Sequence, residues 1–228
     1  MDCRSCENSH CFINKNCSEE WLQYVQKVKT ISNISERKRI FSEGEIARGI
    51  FVVCDGKVML NMQIDKMSHE VIRLAGAGQI LGHRGFYNEM KYPVSAETLS
   101  QVETSFIPYD SFLKLIRENA DLSSFLVSFF ASELLQSDRK HRLNATNAIR
   151  EKVEFALQRI YGAFGFEEYE NTCLIPGLDL DNLANFASVS PEDLIETLDE
   201  LKEESILGLE DERINVIDKA FFQANTYN

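Results

Sequence analysis

The segment 178–218 constrains the fold most, because the beginnings of two helices can be recognised in it. Asp179 is placed to cap a first helix, Ser188-Val189 makes a turn, and Ser190-Pro191 followed by acidic residues is typical of a second helix start. Apolar residues recur at helical spacing in both helices, so each buries one side. These positions are Leu180, Leu183, Ala184 and Ala187 in the first helix, and Leu194, Leu198 and Leu201 in the second. With two short runs at 207–209 and 213–217, the segment predicts a winged helix-turn-helix.

The second helix has the position of a DNA-reading helix but the wrong charge for that role. Affinity for DNA comes largely from Lys and Arg contacts to phosphates, which repel carboxylates. The helix leaves these residues to face a groove: Pro191, Glu192, Asp193, Glu196, Asp199 and Glu200. The candidates for DNA contact are therefore Ser190, Glu192, Asp193, Glu196, Lys202 and, in the wing, Arg213.

The acidity of the chain is confined to its last third. Residues 1–149 contain 18 Lys and Arg and 18 Asp and Glu, whereas residues 150–228 contain 6 and 18, which accounts for the whole net charge of −12. A basic footprint is the expected mark of a nucleic-acid-binding domain. Two interpretations stay open: a few placed cations still dock a duplex, or the domain binds a basic protein partner instead. The cations available for docking are Lys152, Arg159, Lys202, Arg213 and Lys219.

Length and composition predict a cytoplasmic protein that does not enter a membrane. The 228 residues are 44% apolar, but no stretch approaches the roughly 20 apolar residues that span a bilayer. No basic start followed by an apolar core marks a secretory signal. In that compartment the six Cys are expected as thiols or metal ligands rather than disulfides. No catalytic motif is recognised, so the chain is not expected to be an enzyme.

The first half predicts an antiparallel β-roll. Short β-rich runs, broken by glycine-containing turns, extend from Lys38 to Phe112, and Asp55-Gly56-Lys57 is expected to close a hairpin. An amphipathic helix should follow at about 120–144. Its apolar stripe consists of Leu122, Phe125, Leu126, Phe129, Phe130 and Leu134. The predicted fold class is α+β, with a roll, a long helix and a winged helix-turn-helix.

Three phrases of the first half resemble the β-roll of the Crp/Fnr transcription regulators. They are Ser42-Glu43-Gly44-Glu45, the run 50–58 and Ala77-Gly78-Gln79-Ile80-Leu81-Gly82. Leu183-Ala184, Val189-Ser190 and Ile206 match the same family in the helix-turn-helix. The resemblance covers about residues 20–220 and implies a homodimer that binds DNA. It implies a Cys-rich arm (1–18), a cyclic-nucleotide-binding-like sensor domain (19–119), a dimerisation helix (120–146) and a winged helix-turn-helix domain (147–228).

The resemblance also shows where this chain departs from members that bind cyclic AMP. In those members a Gly-Glu pair holds the ribose and an Arg-Ser pair clamps the phosphate. Here Gly82 is followed by His83, and Tyr92-Pro93 aligns with the Arg-Ser pair. A buried phosphate is best held by a bidentate Arg, and Tyr92 offers one hydroxyl. Cyclic AMP is therefore not expected, although Arg73 or Arg84 could substitute if they point inward; the pocket is otherwise filled or takes another ligand.

A second departure lies in the helix that resembles the family's recognition helix, Ser-Arg-Glu-Thr-Val-x-Arg. Ser190 and Glu192 match, whereas Pro191 and Glu196 stand where the family has its two arginines. An Arg bidentate to guanine contributes about 1–3 kcal/mol of discrimination. The resemblance thus implies a dimeric regulator; a member that lost DNA binding, or a sensor module with no DNA output, remains as an alternative.

Four cysteines in the first seventeen residues form a candidate metal site. Cys3, Cys6, Cys11 and Cys17 are spaced C-x2-C-x4-C-x5-C, and thiolates suit an iron–sulfur cluster or Zn. The arrangement is similar to the arm of oxygen-sensing Fnr proteins, which use three arm cysteines and one from the roll. Either Cys17 or Cys54 could be the fourth ligand. A flexible arm whose thiols bind nothing is the alternative, and in that case Cys54 is a small buried apolar residue.

Overall fold

The computed structural model describes residues 3, 6, 8, 10–66, 68–86, 90–165, 172–174, 178–210 and 213–223. Of residues 172–174, 210, 213, 215, 216 and 223 only the backbone is described. The chain divides into two compact units, Met1–Ala131 and Ser132–Asn228. The predicted division into four parts is finer than this and remains a prediction.

The first unit is built on two antiparallel four-stranded sheets. One sheet has the order β1-β8-β3-β6 and the other the order β2-β7-β4-β5. The strands are β1 (Thr30–Ile34), β2 (Arg39–Phe41), β3 (Gly49–Asp55), β4 (Val58–Gln63), β5 (His69–Ala75), β6 (Ile80–Leu81), β7 (Ser95–Thr98) and β8 (Val102–Pro108). The two inner faces enclose an apolar core that includes Val53, Val58, Leu60 and Ala96. This arrangement confirms the predicted roll.

The expected hairpin at Asp55-Gly56-Lys57 is wrong. Strand β3 pairs with β6 and β8, whereas β4 pairs with β5 and β7, so the turn carries the chain from one sheet to the other. Gly56 is required there because its φ is +92° and a Cβ would lie 2.3 Å from the Gln101 carbonyl oxygen. A turn sequence indicates where a strand ends, but not which neighbour the next strand pairs with.

The described part of the N-terminal arm is packed into the first unit. Helix α1 (Phe12–Asn16) begins after Cys11 and is followed by α2 (Glu19–Val28). Phe12 and Ile13 belong to a core cluster with Ile50, Val52 and other apolar side chains. The Phe12 N–H donates to the Gly78 carbonyl at 3.2 Å, and a Cβ on Gly78 would lie 2.7 Å from the Cys11 nitrogen. The arm is therefore anchored on the roll at residues 11–13.

The long helix divides the predicted apolar stripe between two faces. After α3 (Tyr109–Glu118), helix α4 covers Ala120–Asn144, as predicted. Leu122 and Leu126 are buried, and Phe125 and Phe129 pack against the same core cluster as the arm. Other large apolar side chains of this helix are exposed: Val127, Phe130, Leu134 and Leu135. The roll thus covers one side of the helix and leaves an apolar row on another.

The second unit has the predicted winged helix-turn-helix. Its helices are α5 (Ile149–Phe164), α6 (Leu180–Ala187), α7 (Pro191–Glu203) and α8 (Lys219–Gln223). An antiparallel sheet in the order β10-β11-β9 is formed by β9 (Thr172–Leu174), β10 (Leu207–Glu210) and β11 (Arg213–Val216). Asp179 accepts from the Asn182 N–H at 2.8 Å and Ser190 from the Asp193 N–H at 3.1 Å, as the capping pattern predicts. Ser188 ends α6 in the left-handed conformation. The fold-class prediction is confirmed, and within the described residues no helix has the length and apolarity to cross a membrane.

Candidate functional site

Tyr92 fills the part of the roll that the resemblance assigned to a phosphate clamp. Its side chain is 4% exposed, its ring stacks on Phe41 at 4.1 Å, and its hydroxyl donates to the Gly49 carbonyl at 2.9 Å. Gly82 makes room for it, because a Cβ there would lie 2.9 Å from the tyrosine ring. Burial raises the pKa of Tyr92, so the hydroxyl stays neutral. Pro93 is exposed and turned away from this core.

Arg73 and His83 occupy the space between the roll and α4. Arg73 is 8% exposed and donates to the Ile80 carbonyl at 2.9 Å and the Gln79 Oε1 at 3.2 Å, while its guanidinium lies 5.3 Å from the centre of the Phe129 ring. His83 is buried with its ring 5.2 Å from the Phe129 ring. Arg84 is exposed. Arg73 therefore points inward. Its described hydrogen bonds are made to protein groups, so they do not clamp a ligand.

Four thiols line one cavity where the arm meets the roll. Its wall contains Cys3, Cys6 and Cys11 of the arm and Cys54 of β3, together with Val52 and Ile107, and the cavity volume is about 30 Å³. Strand alternation puts Cys54 on the same face as Ile50 and Val52. The register with β8 shifts between Val53 and Asp55, so Cys54 lies at a bulge, a feature that often re-aims a side chain. We name this cavity, lined by Cys3, Cys6, Cys11 and Cys54, the thiol cavity.

Polar groups complete the wall of the thiol cavity. The Lys29 Nζ donates to the Cys3 Sγ at 3.0 Å, and Lys29, Asn14 and Ser105 all line the cavity. The Ser105 Oγ and the Asn14 Oδ1 are buried without a hydrogen-bond partner among the described residues. Buried polar atoms of this kind are uncommon and point to a bound group or water. The cavity therefore combines thiols with polar groups that no described protein atom satisfies.

The chemistry of these side chains fits a thiolate-bound metal, although their positions do not yet form a coordination shell. Burial raises the pKa of Cys11, and that of Cys54 to about 12, so both are neutral thiols at pH 7, and a metal would have to displace their protons. No three His, Cys, Asp or Glu side chains within the described residues converge closely enough to hold a metal ion. A four-thiolate site would therefore need these side chains to lie closer together than they do here. Cys17 does not line the cavity, and burial raises its pKa to about 12.

The DNA-contact candidates of α7 lie on an acidic, exposed face. Ser190, Glu192, Glu196 and Lys202 are exposed, and Asp193 is half-buried. A shallow groove on this face is lined by Glu192, Ile195, Glu196, Asp199, Glu200 and Glu203. Ile195, the one apolar side chain among these lining residues, is 46% exposed. The Arg213 side chain and the wing turn at 211–212 lie outside the described part of the chain.

Three arginines of the second unit contact its own acids and aromatic rings. Arg150 donates to both carboxylate oxygens of Glu204 at 2.6 and 2.7 Å, and this contact lowers the pKa of Glu204. Arg159 lies 4.6 Å from the centre of the Phe186 ring, and Arg139 lies 4.7 Å from that of Phe155. Arg150 also lies 3.6 Å from a carboxylate oxygen of Glu200, so it reaches one edge of the groove of α7, whereas Arg139 and Arg159 lie against aromatic rings.

Comparisons with known proteins agree with this fold. Residues 32–119 match the family model of the cyclic nucleotide-binding domain. The cAMP-activated global transcriptional regulator CRP of Haemophilus influenzae is 27% identical over 105 residues, which are 46% of this chain and 47% of that protein. The chain thus spans about half the length of that relative. The Cyclic AMP receptor protein of Thermus thermophilus is 24% identical over 191 residues, or 82% of this chain and 83% of that protein.

Among solved structures, FixK2 from Bradyrhizobium japonicum superposes with a TM-score of 0.73. The match covers 86% of this chain and 96% of FixK2, at 16% sequence identity. At that identity the likeness concerns the fold, and it extends from the roll through the winged helix-turn-helix.

Proposed function

We propose that this chain, a divergent member of the Crp/Fnr family, is a homodimeric DNA-binding transcription regulator that senses redox state or oxygen at the thiol cavity and does not respond to cyclic AMP. One observation carries the proposal. The three arm cysteines and Cys54 meet at one cavity, whereas the roll position that would hold a cyclic phosphate is filled by Tyr92. The cysteines thus offer the only thiol-rich site within the described residues to which a signal could bind.

Cyclic AMP at 1 mM is expected to leave the melting temperature of this protein unchanged, because Tyr92 and Arg73 bind protein groups where a phosphate would lie. A ligand at 100 times its Kd adds about 2.7 kcal/mol of stability, which is several degrees for a protein of this size. Differential scanning fluorimetry checks this, with the Thermus thermophilus receptor as positive control. A shift of several degrees in this protein would contradict the proposal for the roll.

The group proposed at the thiol cavity is an iron–sulfur cluster, with Zn as the other candidate. Cys3, Cys6, Cys11 and Cys54 would hold it, since four thiolates are the usual ligands of both. A cluster supplies a centre that changes charge or falls apart on oxidation, whereas Zn would make the site structural. Because Cys3, Cys6 and Cys11 belong to the arm, binding ties the arm to the roll.

A row of aromatic rings connects the arm to the exposed side of α4. The Phe12 ring stacks on Phe125 at 5.9 Å, Phe125 on Phe129 at 6.0 Å, and Phe129 contacts Phe130 at 5.6 Å. Phe12 directly follows Cys11, and Phe130 is 46% exposed. A movement of the arm therefore has a packed route to the exposed row of α4, and close packing transmits displacement. We infer that the state of the thiols changes the geometry of this row.

The exposed row of α4 is the proposed dimer seam. Val127, Phe130 and Leu134 recur at i, i+3 and i+7, the spacing of a two-helix seam, and Val127 and Leu134 are 70% and 64% exposed. Leu134→Glu is expected to weaken the dimer by roughly 100-fold, because it buries an unpaired charge at the seam. Sedimentation velocity checks this.

Ser128→Glu is the matched control for the seam, because Ser128 is exposed on the same helix but outside the i, i+3 and i+7 positions that Val127, Phe130 and Leu134 occupy. It should leave the dimer intact. A wild-type protein that is monomeric at micromolar concentration would contradict the seam. If the aromatic route is right, metal removal also weakens the wild-type dimer, and Phe12→Leu reduces this response.

The acidic groove on α7 supports a second candidate function, which is binding of a basic protein partner instead of DNA. Its carboxylates line the groove together with the exposed Ile195, so a cationic segment with one apolar side chain would match it. Under this alternative the chain still dimerises and still senses at the thiol cavity, but it binds a protein partner instead of DNA. The two candidates differ in how DNA affinity is expected to respond to added cations on α7.

A further inference from the structure

Lys29 brings a positive charge to the wall of the thiol cavity. It follows α2 directly, and its backbone N–H donates to the Val25 carbonyl at 3.0 Å, which holds the residue in place. From there the ammonium donates to the Cys3 Sγ at 3.0 Å, and Lys29 lines the thiol cavity together with Cys54. Lys29 thus contacts one thiol of the arm and shares a cavity with the thiol of the roll.

Ser105 provides a second polar group on the same wall. It pairs with Val52 in the register of β8 and β3, and it is 4% exposed. Its hydroxyl oxygen has no hydrogen-bond partner among the described residues. A hydroxyl can donate to a sulfur atom. Leaving such a group buried and unsatisfied destabilises a protein, so its presence needs an explanation.

Both features are explained by the charge of a four-thiolate site. Four thiolates around a divalent metal, or around a cluster of the same charge, leave two net negative charges. Buried charge is costly unless it is paired and hydrogen-bonded. We propose, on the basis of the thiol site proposed above, that Lys29 and Ser105 are positioning residues that donate to its sulfur atoms and stabilise its thiolate state. Lys29 compensates one of the two negative charges, and the Ser105 hydroxyl donates to the sulfur atoms that face β8.

The test compares matched variants under anaerobic conditions with Co²⁺ as the probe, titrated through its thiolate charge-transfer absorption. Lys29→Met is expected to weaken Co²⁺ binding by about 10- to 100-fold and Ser105→Ala by about 10-fold, as for other groups that orient ligands. Lys29→Arg keeps the charge and should stay within about 3-fold of wild type. Lys27→Met is the control, because Lys27 is an exposed lysine of α2 that does not line the cavity.

Two further readouts separate this role from a merely structural one. Ser105→Ala should raise the melting temperature of the metal-free protein while it weakens metal binding, because it removes an unsatisfied buried hydroxyl. In protein reconstituted with ferrous iron and sulfide, Lys29→Met should lower the reduction potential, because a positive charge near the cluster favours the reduced state.

The outcomes distinguish this inference from the function on which it rests. If the wild-type protein binds neither Co²⁺ nor a cluster, the thiol site and the roles of Lys29 and Ser105 are both overturned. If the wild type binds but Lys29→Met and Ser105→Ala bind equally well, only those two roles are overturned. Circular dichroism of each variant identifies one that has failed to fold, and the other of the two variants then still tests the inference at its own position.

Discussion

Cys54→Ser is expected to lose roughly 100-fold or more in affinity for Co²⁺ or Zn²⁺, whereas Cys17→Ser is expected to bind nearly as well as wild type. Structural Zn sites in peptides bind with about 10–16 kcal/mol, so one ligand of four corresponds to about 3 kcal/mol. Cys54 lines the thiol cavity with the three arm cysteines, and Cys17 does not. Anaerobic metal titration in competition with a chelator measures the difference.

The Cys54 and Cys17 pair is a close match, because both are half-buried thiols whose pKa burial raises to about 12. A loss in Cys17→Ser with binding retained in Cys54→Ser would instead place the fourth ligand in the arm. Equal and full binding in both variants would mean that three arm thiols suffice. Either result would contradict the site formed between arm and roll.

Pro191→Arg combined with Glu196→Arg is expected to raise affinity for DNA by roughly 100-fold at about 50 mM salt. The two changes restore cations at the start of α7, remove one carboxylate from its exposed face, and keep the Ser190 cap. The dimer would carry each change twice. Fluorescence anisotropy against salt concentration checks both the affinity and a steeper salt dependence, about one unit of slope for each new phosphate contact.

A control has to exclude that the change in net charge alone raises the affinity for DNA. Glu20→Arg combined with Gln23→Arg changes the net charge equally but on exposed positions of α2, in the other unit. That control should gain far less affinity. If the α7 variant gains no more than the control, the winged helix-turn-helix does not dock on DNA as its fold suggests. The protein-partner candidate would then be favoured.

Local chemistry made the helices of the second unit predictable. Asp179 and Ser190 cap the helices that their positions indicated, because an N-cap acts on backbone N–H groups only two or three residues away. The pairing of β3 and β4 was mispredicted for the opposite reason. Gly56 turns the chain in either arrangement, and which sheet accepts β4 depends on strands far away in sequence.

The candidate site was only partly predictable, because its members come from distant parts of the chain. The spacing of Cys3, Cys6 and Cys11 indicated a thiol site, and the resemblance to Fnr arms left Cys17 and Cys54 as alternatives for the fourth ligand. The sequence did not indicate which of these two cysteines lines a cavity with the arm, because that depends on how the arm packs on the roll. Lys29 and Ser105 were missed altogether, since a lone lysine and a strand serine look ordinary until the fold brings them to one cavity.

Selection of a random-sequence DNA library at about 50 mM salt tests the central claim most directly. The anaerobically purified protein would be compared with the same protein after treatment with a chelator, which would remove a metal bound at the thiol cavity. The account predicts that the intact protein enriches a palindromic site, as expected for a dimer, and that the stripped protein does not. The account of a DNA-binding regulator controlled by the thiol cavity would be contradicted if a folded dimer enriched no DNA site. It would also be contradicted if the intact and the chelator-treated protein enriched the same site.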